Sequence, residues 1–437
     1  MISQENIFSS EVSSKKNYLD LIFLELLSFA PLFILLGNVV PPFPIKLHYV
    51  GLGLIFLVSF IRLLLSEKNK WYAYVIFAYL VAQGIQNSWD IKSMIDFFFG
   101  PLVLLNILEL IYRKQFSVST LRKYTKRFIS FVWIPVGISF LQYLGIMPFT
   151  FWNATFINST PDAFGNDIFR PNGFLYHGSE LSILICFLGL FQFFKKEKEA
   201  FWNLLFLILV AYATYFKAIV GCMMLLFVYY LGFINKGGLS NYRIISKSFL
   251  IFFGSIASIG VISLVLYYFY AVKLQTGYYF PPQMLTGRGS IWNIYSDAIS
   301  DYSVFDTIFG AGLGSSTSLF TAYATPKNFY PLVVNPNSTI AYLPHNAFLN
   351  IFIDAGLVGI GVLISLFYSI KKQAAKWWPS KKWNVRILIG IVFIPLITIG
   401  ITIGVFDMAI YWCCLSMLLV RWYIFSEQKI DLKALQE

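Results

Sequence analysis

Runs of roughly twenty predominantly apolar residues recur from one end of this chain to the other, each long enough to carry a helix across a bilayer. They fall near 19–38, 47–65, 71–87, 93–112, 127–146, 177–194, 200–217, 218–234, 244–271, 346–370, 386–404 and 405–425. The pattern predicts an all-α fold, a polytopic membrane helix bundle of about twelve transmembrane helices. With 58% of residues apolar and 12% charged, a soluble globular domain is excluded. A polar head of about eighteen residues without a small-residue cleavage site precedes the first run, which predicts an uncleaved anchor. The joints at 217/218 and 404/405 are so short that either pair also reads as a re-entrant hairpin.

The net charge of +12 suits either nucleic acid or a cytoplasmic membrane face, and placement decides between them. Of the 33 Lys and Arg residues, only Lys46, Lys92, Arg170, Lys217, Lys273, Arg288 and Lys327 lie on odd-numbered connections or the helix ends beside them. Both termini are therefore expected in the cytoplasm, and nucleic acid drops out as a partner. Two outer connections are long, 146–176 and 272–345, where a chain that only turns round needs a few residues. There is no internal repeat, heptad or low-complexity linker. Residues 1–437 read as one integral membrane domain, with 272–345 as a large external loop containing short helices.

Within that loop Ile291, Tyr295, Ala298, Tyr302, Phe305 and Phe309 recur at helical spacing, with Asp297 and Asp301 on the opposite face. The spacing predicts one amphipathic helix at the outer membrane–water boundary, either packing the loop onto the bundle or shaping an entrance for a lipid substrate. Cys186, Cys222, Cys413 and Cys414 all fall inside predicted spans, so no disulfide framework is implied. No Cys/His set has zinc spacing, and neither a phosphate-cradling Gly-Lys-Ser/Thr loop nor a paired Asp-x-Asp is present. No metal or cofactor is expected.

The candidate chemistry lies on the outer side. Cations placed where topology avoids them call for a reason, and Arg170, Lys217 and Arg288 are such cations. Converging, they would suit a diphosphate, because a guanidinium forks onto phosphate oxygens and keeps its charge. Alternatively each pairs with a membrane acid, among them Glu25, Asp96, Glu180, Asp354 and Asp407. Arg170 precedes Pro171-Asn172-Gly173 and Arg288 sits between glycines, residues that let backbone approach a ligand. The three histidines, His48, His177 and His345, are all expected on or near the outer side. An imidazole there can act as a base near neutral pH. His48 reads as a helix-end anchor, and His177 stays open. His345 stands where the loop re-enters the membrane, with Asn346 beside it.

These residues resemble the O-antigen ligase and Wzy-type polysaccharide polymerase superfamily of bacterial inner membranes. The resemblance covers roughly residues 165 to 425. It rests on Thr286-Gly287-Arg288 with Trp292, on Gly310-x-Gly312-x-Gly314, on His345-Asn346-x-Phe348-Leu349 followed by Gly356 and Gly359, and on Arg170-x-x-Gly173. It implies a metal-independent, inverting glycosyltransferase that takes a glycan from an undecaprenyl-diphosphate-linked donor on the external face. Arg288 and Arg170 would bind the diphosphate, with Lys217 and Asn346 also on the substrate, and His345 would be the base on the acceptor hydroxyl. The family often carries Ser-Arg where this chain has Phe216-Lys217, so the charge is kept and the fork lost. Asp407 matches a family acid only approximately. The acceptor would be a glycan in a polymerase or a lipid A core in a ligase, with membrane lipids and a chain-length regulator protein as further partners. A transporter of lipid-linked glycan is the rival reading, which would place its charges in mid-helix rather than at one surface.

Overall fold

A computed structural model describes residues 4–39, 47–66, 74, 91–114, 116–148, 159–161, 167–169, 171–175, 178–195, 197–214, 217–234, 288–324, 344, 346–377 and 409–434. The fold is helical. In chain order the helices are α1 (Gln4–Val39), α2 (Leu47–Leu64), α3 (Ile91–Arg113), α4 (Val118–Tyr143), α5 (Gly178–Gln192), α6 (Glu197–Ala213) and α7 (Lys217–Ile234). After them come α8 (Arg288–Ser300), α9 (Val304–Phe309), α10 (Ser315–Tyr323), α11 (Ala347–Trp377) and α12 (Ala409–Ala434). The all-α expectation has one exception. In the 146–176 connection β1 (Ser159–Pro161) pairs antiparallel with β2 (Asp167–Phe169).

Tyr18–Gly37, Ala347–Lys372 and Ala409–Glu427 are the three described helical segments long and apolar enough to cross a membrane. The predicted spans near 244–271 and 386–404 lie outside the described residues, as do the 404/405 joint and, apart from Tyr74, the span near 71–87. The 217/218 joint resolves into two separate helices, because α6 ends at Ala213 and α7 begins at Lys217. The polar head does not stand apart from the first span: α1 begins at Gln4 and runs through it without a break.

Burial follows polarity. α12 is apolar on every side, and a helix of that kind belongs in the middle of a bundle. Ala409 through Val420 are all buried, and α3, α4 and α5 are the helix's main neighbours. At the end of the bundle that the charge count assigns to the cytoplasm, buried charges are paired. The Arg62 guanidinium donates to Asp20 Oδ1 at 2.6 Å and to Asn106 Oδ1 at 3.0 Å, and it lies 4.6 Å over the Phe23 ring. Asn106 passes its amide protons to the carbonyls of Ser59 and Leu102, each at 2.8 Å. One connected polar set thus pins α1, α2 and α3, as a buried charge requires. Glu25 pairs with Arg127, so it is already engaged and does not stand as the partner of an outer cation.

The single amphipathic helix expected over 291–309 is corrected to two helices. α8 stops at Ser300 and α9 starts after Ser303, whose hydroxyl accepts from the Asp306 amide at 3.1 Å. The Asp306 carboxylate answers by accepting from the Ser303 amide at 3.2 Å, which completes a capping box. The apolar face divides accordingly. Ile291, Ile294 and Tyr295 are buried against Phe320 of α10 and Ile353 of α11, whereas Phe305 and Phe309 are exposed.

Candidate functional site

Two helix starts meet here. The Trp292 indole N–H donates to the Pro344 carbonyl at 2.8 Å, which ties the first turn of α8 to the residue immediately before His345. Arg288 opens α8, four residues before Trp292 and hence on the same side of the helix. His345 itself lies outside the described residues, but Pro344 and Asn346 flank it. The Asn346 side-chain oxygen accepts from the amides of Phe348 and Leu349, both at 3.1 Å, and so caps α11. With that oxygen engaged, the amide nitrogen of Asn346 is the group that could meet a ligand.

Below this cap α11 carries a polar stripe at four-residue spacing, Asn346, Asn350 and Asp354, on one face of an otherwise apolar helix. α10 presents its N-terminus to the stripe. Ser316 Oγ lies 2.8 Å from Asp354 Oδ1 and 3.0 Å from Asn350 Oδ1. A hydroxyl has a single proton, and the shorter, charge-assisted bond to Asp354 takes it. The Ser316 amide and the Ser315 hydroxyl add bonds to the same carboxylate oxygen at 3.3 Å each. Asp354 is thereby held by serines and a helix N-terminus.

A break in α11 makes this docking possible. Gly356 adopts φ 59°, ψ −154° inside the helix, and the interrupted ladder frees the carbonyl of Ile353. Ala311 N–H donates to it at 2.8 Å and the Tyr302 hydroxyl at 3.3 Å. Tyr295 donates to the Ser316 carbonyl at 3.0 Å. Burial, and after it the Asp354 carboxylate, push both phenols well above their ordinary range, which keeps them protonated and donating. The Gly310-x-Gly312-x-Gly314 run supplies the matching surface, with positive φ at all three glycines. Gly310 lies directly against the backbone of Asp354 and Ala355. Leu313 packs among Leu63, Phe98, Leu102 and Ala355. Gly310 thus serves close approach of loop to helix.

Arg170 lies outside the described residues, as does His177. The turn after Arg170 is fixed within the protein: Gln142 Oε1 accepts from the amides of Asn172 at 3.1 Å and Gly173 at 3.0 Å. The Gly173 backbone, at φ +63°, abuts the Pro135 carbonyl, so its close approach is to α4 and not to a ligand. Lys217 opens α7, whose principal neighbours are α5 and α6. Asp96 and Glu180 lie on α3 and α5, and Asp407 falls outside the described residues. Among the described residues no group of three or more His, Cys, Asp or Glu is placed to hold a metal.

Sequence reasoning passed over Ser315, Ser316, Asn350, Tyr295 and Tyr302 as site residues. The signal for Asn350 was present: polar residues four apart at 346, 350 and 354 on an apolar span mark a face that meets something polar. Comparison with known proteins finds no matching family model and no curated protein of significant similarity.

Proposed function

We propose that the chain is a multi-pass glycosyltransferase of surface polysaccharide assembly. In this reading about twelve helices cross a bacterial inner membrane, both termini are cytoplasmic, and the 272–345 loop faces outward. The single observation that carries the proposal is the Trp292–Pro344 bond, which sets the start of α8, with Arg288, beside the approach to His345. In this reading the starts of α8 and α11 and the Arg288 guanidinium together favour an anion, and His345, next in the chain after Pro344, supplies a base.

The reaction follows from those groups. His345 takes the proton of an acceptor hydroxyl as its oxygen bonds to the anomeric carbon of the donor glycan. The bond from that carbon to the diphosphate oxygen breaks, and undecaprenyl diphosphate leaves with the electron pair. Arg288, joined by Arg170 and Lys217, binds the charge that grows on the leaving group. Attack opposite the leaving group inverts the anomeric centre. A second lipid-linked glycan as acceptor makes the enzyme a polymerase, and a lipid A core would make it a ligase using the same groups.

Arg288→Lys tests the proposal. The charge persists while the planar fork is lost, so turnover should fall about 10- to 100-fold at an unchanged protein level. Near-normal turnover in Arg288→Ala would remove the phosphate role. Loss of folded protein would mark Arg288 as one half of a structural ion pair.

A further inference from the structure

α9 is a short helix whose apolar side chains face away from the protein. Val304 is 79% exposed, Phe305 54%, Ile308 38% and Phe309 37%, and the Phe305 and Phe309 rings lie together at 4.8 Å. Four large apolar side chains adjoining on one short helix form a contiguous exposed patch, which calls for a covering. What covers it is indicated by the position of α9 along α11. The Gly356 backbone faces the Ile308 carbonyl and the Gly310 amide, and the Tyr302 ring stacks on Phe352. Nine residues separate Ala347 from Gly356, or about 14 Å of helix. The hydrocarbon layer that Ala347–Lys372 is long enough to cross is about 30 Å thick.

The hydrogen bonding of the segment points the same way. Backbone that enters hydrocarbon needs partners from the protein, and several polar groups at the ends of α9 have them. Ser303 N–H and Oγ–H both donate to Asp306 Oδ2, at 3.2 and 2.6 Å. The Thr307 amide and hydroxyl both donate to the Ser303 carbonyl at 2.9 Å. Gly310 N–H returns to Asp306 O at 2.7 Å, and Ala311 N–H goes to the freed Ile353 carbonyl at 2.8 Å. On α11, Leu357, Ile364 and Tyr368 are likewise exposed.

We infer that residues 303–311 re-enter the bilayer, with Phe305, Ile308 and Phe309 set among the acyl chains of the leaflet on the loop side. Asp301, Ser303 and Asp306 then stand at headgroup level, where a carboxylate keeps contact with water. The partner is the bulk lipid of that leaflet. The inference rests on α11 crossing the membrane and is independent of the proposed chemistry.

Nitroxide labels on single cysteines at Phe305 and Phe309 test it, in the full-length protein reconstituted into phosphatidylethanolamine/phosphatidylglycerol vesicles. Ile364→Cys on the outward face of α11 and the exposed Lys198→Cys serve as references. Cys186, Cys222, Cys413 and Cys414 are buried, and unsubstituted protein controls for their labelling. Power saturation compares access of oxygen, which enters acyl chains, with access of a water-soluble nickel chelate. The expected result is oxygen access exceeding nickel access at Phe305 and Phe309, as at Ile364, with the reverse at Lys198. Nickel access at Phe305 and Phe309 matching that at Lys198 would overturn the inference. So would low access to both reagents, because protein, including a second copy of the chain, would then cover the patch. A nickel-accessible Ile364 would overturn the membrane path of α11 itself.

Discussion

His345→Ala should leave an inserted, folded protein that still binds its lipid-diphosphate donor and transfers glycan about 10²- to 10⁴-fold more slowly. That is the scale lost when a positioned base is removed. A purely structural histidine at this place could act through capping α11, which is worth about 1 kcal/mol. That role is already filled: Asn346 accepts from the Phe348 and Leu349 amides. Removing His345 therefore leaves the cap in place, and the Trp292–Pro344 bond with it, since the acceptor there is a backbone carbonyl. His345→Gln keeps hydrogen-bonding capacity without a titratable base and should be as inactive as alanine. The check is turnover measured alongside donor binding and thermal unfolding of the same preparations. Recovery of activity by glutamine would reduce His345 to positioning its acceptor.

Gly310→Ala should cost on the order of 3 kcal/mol or more of stability and abolish turnover without touching a single candidate catalytic group. Gly310 adopts φ 80°, ψ 171°, a conformation essentially confined to glycine. A Cβ there would come within 2.5 Å of the Asp354 carbonyl oxygen, and a helix backbone cannot retreat as a side-chain tip can. Gly356 is its counterpart: a Cβ would meet Gly310 N and Ile308 O, each at 2.5 Å. Because both substitutions break one contact, the double variant should cost little more than either single one, and a double-mutant cycle reads that non-additivity. Gly361, also in α11, has open space where its Cβ would be. Gly361→Ala should be neutral or slightly stabilising, as expected for glycine in a helix interior. Equal effects at 310 and 361 would contradict the docking of loop on helix.

The long elements were legible in the sequence because they are written in composition over many residues. Apolar runs near 47–65 and 93–112 became α2 and α3 within a residue or two at each end. What stayed hidden depends on contacts between distant segments. The break between α8 and α9 interrupts an apolar periodicity that itself continues, and its local sign was the Ser303–Asp306 pair three residues apart. The role of Gly310 shows only when Gly356, more than forty residues on, is placed against it. Asp354 was visible in the sequence as a charge, whereas its donors Ser315 and Ser316 carry none. For the site itself, the sequence marked Arg288 and His345 as candidates by their rarity and setting. The Trp292–Pro344 bond, which links α8 to the residue before His345, is contained in no spacing rule.

The central claim is transfer of glycan from a lipid diphosphate, and turnover by the purified protein tests it most directly. The protein, reconstituted in lipid, is given an undecaprenyl-diphosphate-linked glycan together with either a second lipid-linked unit or a lipid A core. The account predicts release of undecaprenyl diphosphate, with a longer lipid-linked glycan as product when the second unit is the acceptor. Transfer only to the lipid A core would keep the chemistry and change the acceptor to that of a ligase. Binding or translocation of the lipid-linked glycan with no release of undecaprenyl diphosphate under either condition would contradict it.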